Sequence, residues 1–275
     1  MALCGAWIAL QASLWTVPPF GDALGHVFLQ ADLFRTSHWS LQAVAASTAA
    51  EHPPLMTALV AAGWAVFGVG ILWPHVLSTT IGALALVGVF RLGCQVTSRL
   101  RSLAAAACVG LSPVFFAQSA NPYIEIAVVA GLVWAIHSFF SENAVGVGVS
   151  LALMMLAKET SLPLAVVLGL VVLWSARTSW GDVRWGLVVA IALSPLPCLA
   201  WLLYAAAVKG GFMTAAVAAA ATNGSVAPSV VALLRKLALG PVQLLVMGLW
   251  VPLVVQLGWL ARARWRRSPW AATAN

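Results

Sequence analysis

The chain is a succession of apolar runs, most of them close to the length needed to cross a bilayer, and nothing else in it constrains the fold as strongly. Past a polar stretch near the start, such runs cover 55–72, 75–90, 102–117, 124–140, 144–157, 161–176, 186–208 and 238–260. Charged groups separate or end them: Arg91, Arg99 and Arg101; Lys158-Glu159; Arg177 with Asp182 and Arg184; and the tail ARARWRR. A 275-residue chain that is 62% hydrophobic and 8% charged cannot bury that much apolar surface in a soluble core. In lipid only helices and closed barrels satisfy their backbone polar groups, and these runs lack the alternation of a barrel. The expected fold is therefore all-α, a polytopic transmembrane helical bundle of about eight spans.

Residues 1–17 are apolar, carry no Lys or Arg and run into TVPP, so they read as a first span and not as a cleavable signal. Between Pro18 and Pro54 the chain gathers Asp22, His26, Asp32, Arg35, His38, Glu51 and His52, three of its seven acids and three of its five histidines. Whether 55–72 crosses the membrane decides the side of every later loop. If it does not, Arg91, Arg99, Arg101, Arg177, Arg184, Arg262, Arg264, Arg266 and Arg267 share one side and Arg35, Lys158, Lys209, Arg235 and Lys236 the other. The richer side is then cytoplasmic, as the positive-inside rule requires; a crossing would invert the distribution.

The chain is thus expected to form one transmembrane domain over 1–275, both termini inside. Its parts are a first outer loop at 18–74 with juxtamembrane helices, a core helical module at 75–208, an outer loop at 209–237, a last span at 238–260 and a basic cytoplasmic tail at 261–275. The net charge of +7 follows from this arrangement and not from a nucleic-acid surface, because the cations are scattered among short loops.

The same topology places Asp22, Asp32, Glu51, Glu125 and Glu159 outside and only Glu142 and Asp182 inside. Asp22 follows the Pro18-Pro19 stop and starts a helical pattern in which Leu24, Val27, Phe28, Ala31 and Phe34 share a face. A helix cap suits that position as well as chemistry does. Glu51 precedes His52-Pro53-Pro54, a rigid turn that would fix both side chains or equally start a helix. Glu125 lies one turn inside an apolar run, a costly place for an acid unless it functions, caps or snorkels. Lys158-Glu159 tops a connection between two runs, as a loop charge pair or as a cation for a lipid phosphate.

His38, His75 and His137 lack metal-ligand spacing and read as packing or interfacial residues, so no cofactor is expected and a divalent metal has no support. The four cysteines read as small core residues, and tryptophans near run ends, Trp7, Trp73 and Trp185 among them, as interfacial belts. There is no P-loop, GxSxG or Rossmann fingerprint, which argues against a cytosolic nucleotide donor.

Carboxylates and a cation on the outer membrane face suit the activation of a hydroxyl or amine against a lipid-phosphate leaving group. Ion or proton coupling in a transporter, or lipid flipping, is the alternative. The residues also carry a family pattern: a short first span, a Pro-rich exit, Gly21-Asp22 at a helix start, Trp39, then EHPPL, and later LSPVFFAQSANPYIE and MLAKETSLPLAV. Over about residues 14 to 205 this resembles the membrane glycosyltransferases of the C-type fold. It is most similar to the protein O-mannosyltransferase and lipid A aminoarabinose transferase group, glycosyltransferase family 39.

The resemblance implies an integral protein of the bacterial inner membrane. Such a protein takes sugar from a polyprenyl-phosphate donor at the outer face and transfers it, with inversion, to a lipid, glycan or protein acceptor. Asp22 matches the family's general-base aspartate, although Ala23 stands where a second acid is common. Glu51 matches an acid that orients substrate, Glu125 stands near a usual aspartate, and Lys158 matches a lysine near the donor phosphate. His26, Arg35, His52 and Glu159 complete the expected substrate- and donor-binding set with Glu125 and Lys158. Because the chain is short for that family, a non-catalytic subunit working with a partner membrane chain is a further alternative.

Overall fold

A computed structural model describes residues 2–21, 23–47, 52–175 and 184–209. Asp22, Glu51 and residues 210–275, the expected last span and basic tail among them, lie outside the described residues. The described chain is helical, with no strand in it. In order come α1 (Ala2–Ala12), a π-helical segment (Ala23–Phe28) leading into α2 (Leu29–Thr36), α3 (Leu41–Ala46), α4 (Leu55–Phe67) and α5 (Leu72–Cys94). They are followed by α6 (Arg99–Gly110), α7 (Pro113–Ala120), α8 (Ile124–Phe140) and α9 (Ala144–Ala157), then a 3-10 turn (Glu159–Ser161), α10 (Leu162–Ser175), α11 (Trp185–Leu193) and α12 (Leu196–Lys209).

Local chemistry sets several of these boundaries. Ser40 caps α3 by accepting from the Ala43 amide at 3.2 Å, and Asn143 caps α9 by accepting from the Gly146 amide at 2.9 Å. Helix α4 ends at Gly68, whose φ of 84° lies in the left-handed region that glycine adopts freely. The 13 residues of α4 rise about 20 Å, short of the roughly 30 Å of a hydrocarbon core.

Among the described residues two stretches are long and apolar enough to cross a membrane by themselves: α5, with 23 residues, and Trp185–Lys209, α11 and α12 taken together, with 25. The 102–117 run, expected as one span, is two helices bent by 68°. The break falls at Leu111-Ser112 because Pro113, first residue of α7, has no amide to continue the ladder of α6.

Helix α5 is the centre of the bundle and packs against α1, α4, α6, α7 and α8. Helices α8 and α9 form an antiparallel hairpin closed through Ser141-Glu142-Asn143, and Leu151, Met154 and Met155 of α9 are fully buried in its core. A Cβ on Gly131 would sit 2.7 Å from Met154 Cβ and 3.0 Å from the Ser150 carbonyl oxygen, so the two helices can approach this closely only at glycine.

Polar side chains inside the bundle are tied to distant backbone. Gln11, fully buried, donates to the Phe116 carbonyl and to Ser119 Oγ, both at 3.1 Å. His75, fully buried, sets Nδ1 against the Ala120 carbonyl and Nε2 2.9 Å from the Val17 carbonyl, and the tautomer decides which of the two receives its N–H. Its expected packing role is thus also that of a polar clasp.

Three expectations need correction. Leu24 does not share the buried face of Val27, Phe28, Ala31 and Phe34 but is 47% exposed, because the π-helical turn widens the repeat there. Trp7 is not an interfacial anchor: it is 4% exposed and packs between Phe115 and Phe116, ring centroids 5.6 and 5.7 Å away. Of the cysteines only Cys198 is buried; Cys94 and Cys108 are exposed on the helix surface.

Candidate functional site

The start of α8 and the end of α9 lie side by side because the two helices are an antiparallel hairpin, and each brings a charge. Glu125 sits in the first turn of α8, where the helix dipole favours an anion. Lys158 stands just beyond α9 in extended conformation, φ −154° and ψ 119°. Lys158 Nζ donates to Glu125 Oε1 at 2.5 Å, with the two side chains 25% and 33% exposed. A charge pair this close and this shielded from water is stronger than an exposed one.

The next residue extends the cluster. Glu159 Oε2 lies 3.0 Å and Oε1 3.3 Å from Nδ1 of His52, at the chain's turn into α4. The His52 ring in turn meets the His26 ring from the π-helical segment, centroids 5.6 Å apart at 61°. Five side chains from four separate stretches thus form one chain of contacts, Glu125 to Lys158, then through Glu159 to His52 and His26. Ala23, His26, His52, Tyr123, Glu125 and Lys158 line a narrow cleft of about 10 Å³, the room one water needs.

Tyr123 joins the first loop to this cleft. Its hydroxyl donates to the Phe20 carbonyl at 3.2 Å and its ring meets Phe20 edge-on at 6.1 Å. Gly21 makes that approach feasible: its φ is +60°, and a Cβ there would fall 2.9 Å from the tyrosine oxygen. Sequence reasoning did not single out Tyr123. The only cue was an aromatic residue immediately before Ile124-Glu125 in NPYIE, which does not reveal a partner 103 residues away.

Five of the eight sequence-selected residues therefore converge: His26, His52, Glu125, Lys158 and Glu159. Arg35 does not line the cleft; its Nη2 donates to Asp32 Oδ1 at 2.9 Å, one turn away on α2. Asp22 and Glu51 lie outside the described residues, but their chain neighbours Ala23 and His52 both line the cleft. Among the described residues no cluster of His, Cys, Asp and Glu has metal-binding geometry.

Burial pushes the Glu159 carboxyl up, but the His52 hydrogen bond, a backbone amide and the charges of His52 and Lys158 together outweigh it and hold the group below its usual 4.5. A lowered folded-state value stabilises the fold above the unfolded value, and that contribution is lost as pH falls through the folded one. Thermal unfolding in detergent should therefore show wild type more stable than Glu159→Gln at pH 7, with the gap closing below about pH 4.5. A gap that does not change with pH would mean that the carboxylate form is not what stabilises.

Residues 51–201, from Glu51 through the core helices, match the sequence profile of dolichyl-phosphate-mannose-protein mannosyltransferases. The chain belongs to that family. The matched region is more than half of the 275 residues and contains His52, Glu125, Lys158 and Glu159, whereas Asp22, His26 and Arg35 precede it. No curated protein and no solved structure matches the chain. Family membership makes the protein a mannosyltransferase-like membrane glycosyltransferase, consistent with its apolar helices.

Proposed function

We propose that the protein transfers a sugar from a polyprenyl-phosphate-linked donor to a lipid, glycan or protein acceptor at the outer face of a bacterial inner membrane. The observation that carries the reading is the Lys158–Glu125 pair at the rim of the cleft, a cation held ready beside a helix end. In the reaction the acceptor oxygen attacks the anomeric carbon as the bond from that carbon to the phosphate oxygen breaks. The acceptor proton passes to a carboxylate, and the departing phosphate gathers charge.

Lys158 is the residue for that phosphate. The cleft holds about one water, so the ammonium exchanges Glu125 for the phosphate as the donor enters. Glu159 holds the His52 ring in place, and His26 beside it supplies a further donor to the leaving group. Asp22, next in sequence to a cleft residue and matching the family's essential aspartate, takes the proton. Glu51, adjacent to His52, orients the substrate.

The test is transfer from a radiolabelled polyprenyl-phosphate sugar by the purified protein in lipid nanodiscs, wild type against Asp22→Asn and Glu51→Gln. Loss of about a hundredfold or more is expected for Asp22→Asn, the size of effect a general base supplies, and a smaller loss for Glu51→Gln. Undiminished transfer in both variants would remove the assignment.

A further inference from the structure

A second cavity opens at the other end of the α8–α9 hairpin. Glu125 and His137 lie in the first and last turns of α8, twelve residues or about 18 Å apart along the axis. Around His137 a space of about 330 Å³, within the range of small-molecule sites, is lined by Arg91, Ser138, Ser141, Asn143 and Ser150. The described lining includes no carboxylate. Among the described residues Arg91 makes no ion pair, while Glu142, the nearby acid, is engaged by Arg184 at 2.8 Å.

The donors in the cavity are ordered. Gln95 Nε2 donates to His137 Nδ1 at 2.9 Å and to Ser141 Oγ at 2.7 Å, which leaves the neutral imidazole's proton on Nε2 as a donor. The start of α9 is drawn tightly against α8 here: a Cβ on Gly146 would sit 2.5 Å from Ser138 Oγ. A guanidinium, an imidazole N–H and three hydroxyls around one space form a lining for an anion, and arginine matches phosphate oxygens in two-pronged fashion. The flank is apolar: Val149, part of the lining, and Val145, one turn earlier on α9, are 53% and 75% exposed.

We propose that this cavity binds the phosphate of an anionic membrane lipid, with Arg91 as its principal cation and an acyl chain along the Val145–Val149 flank. Basic pockets between transmembrane helices take lipid headgroups in this way. The site is separate from the cleft at Lys158 and does not depend on the reaction assigned there.

The experiment measures binding to the full chain purified in a neutral detergent, with three probes: dioctanoyl phosphatidic acid, inorganic phosphate and the uncharged dioctanoylglycerol. Phosphatidic acid should bind, dioctanoylglycerol should not, and Arg91→Gln should weaken phosphatidic acid by about tenfold while Arg91→Lys, which keeps the charge but not the two-pronged contact, weakens it less. Arg99→Gln, at the same end but outside the lining, should leave it unchanged. Inorganic phosphate should bind more weakly than phosphatidic acid; equal affinity would overturn the lipid assignment in favour of the free ion. Equal loss in Arg91→Gln and Arg99→Gln, no loss in Arg91→Gln, or equal binding of dioctanoylglycerol would overturn the site. An unchanged elution profile and melting temperature for Arg91→Gln establishes that the variant is folded.

Discussion

Replacing Lys158 with methionine should lower kcat/KM for transfer from a polyprenyl-phosphate sugar by about a hundredfold, equivalent to about 2.7 kcal/mol at the transition state. Methionine keeps the apolar stem and removes the ammonium that would meet the leaving phosphate. The substitution also strands Glu125, whose partner at 2.5 Å is gone, and a shielded unpaired carboxylate can disturb the fold by itself. The double variant Lys158→Met with Glu125→Gln separates these causes. It restores an uncharged pair, so transfer should recover if Lys158 served only to neutralise Glu125. Under the proposed role it stays low, while Lys158→Arg regains part of the rate. Recovery in the double variant would remove Lys158 from the donor site.

The second large effect is structural. His75→Ala should destabilise the protein by about 3–5 kcal/mol, through the cavity it leaves and the backbone carbonyl that loses its donor. The imidazole is fully buried and connects α5 with the Val17 carbonyl after α1 and the Ala120 carbonyl at the end of α7. These two stretches of chain lead into the cleft, one through Phe20 and Gly21, the other through Tyr123. Thermal unfolding in detergent reads the loss. A melting temperature within about 2 °C of wild type, less than 1 kcal/mol on the scale of a domain this size, would show that the stranded carbonyl finds another partner.

Much of the helical order could be read from residue type and spacing alone. The run at 144–157 coincides with α9 because Asn143 is a strong cap and Lys158 ends the apolar stretch. The run at 124–140 becomes α8 for similar reasons, an extended Tyr123 before it and a polar Ser141-Glu142-Asn143 turn after it. Hydropathy did not show the bend between α6 and α7, since the apolar run continues across it from Ala104 to Phe116 and only the missing amide of Pro113 interrupts the ladder. The π-helical turn was hidden too, because one extra residue per turn leaves composition unchanged and moves only Leu24 out of the buried face.

The charged residues and histidines of the candidate cleft could be picked out in the sequence, but not the pairs they form. His52 and Glu159 each stood out beside prolines or at a connection, but nothing local indicates that they meet across 107 positions. Arg35 shares the polar first loop with His26, yet it pairs with Asp32 three residues earlier and does not line the cleft. Charge alone could not separate the two, because the difference lies in the partners each meets, His52 for His26 in the π-helical segment and Asp32 for Arg35 in α2.

The buried amide of Gln11 has a consequence for how the protein is made. Its partners are the Phe116 carbonyl, 105 residues later, and Ser119. At the pace of ribosomal synthesis that distance takes on the order of 5–20 s. Throughout that interval the first helix exists without the groups that complete it, in a medium that offers few substitutes for a hydrogen bond. Its docking therefore belongs to a late step of assembly, after the bent α6–α7 pair has arrived. Until then Gln11 must find water at the bilayer surface or the temporary company of another membrane protein.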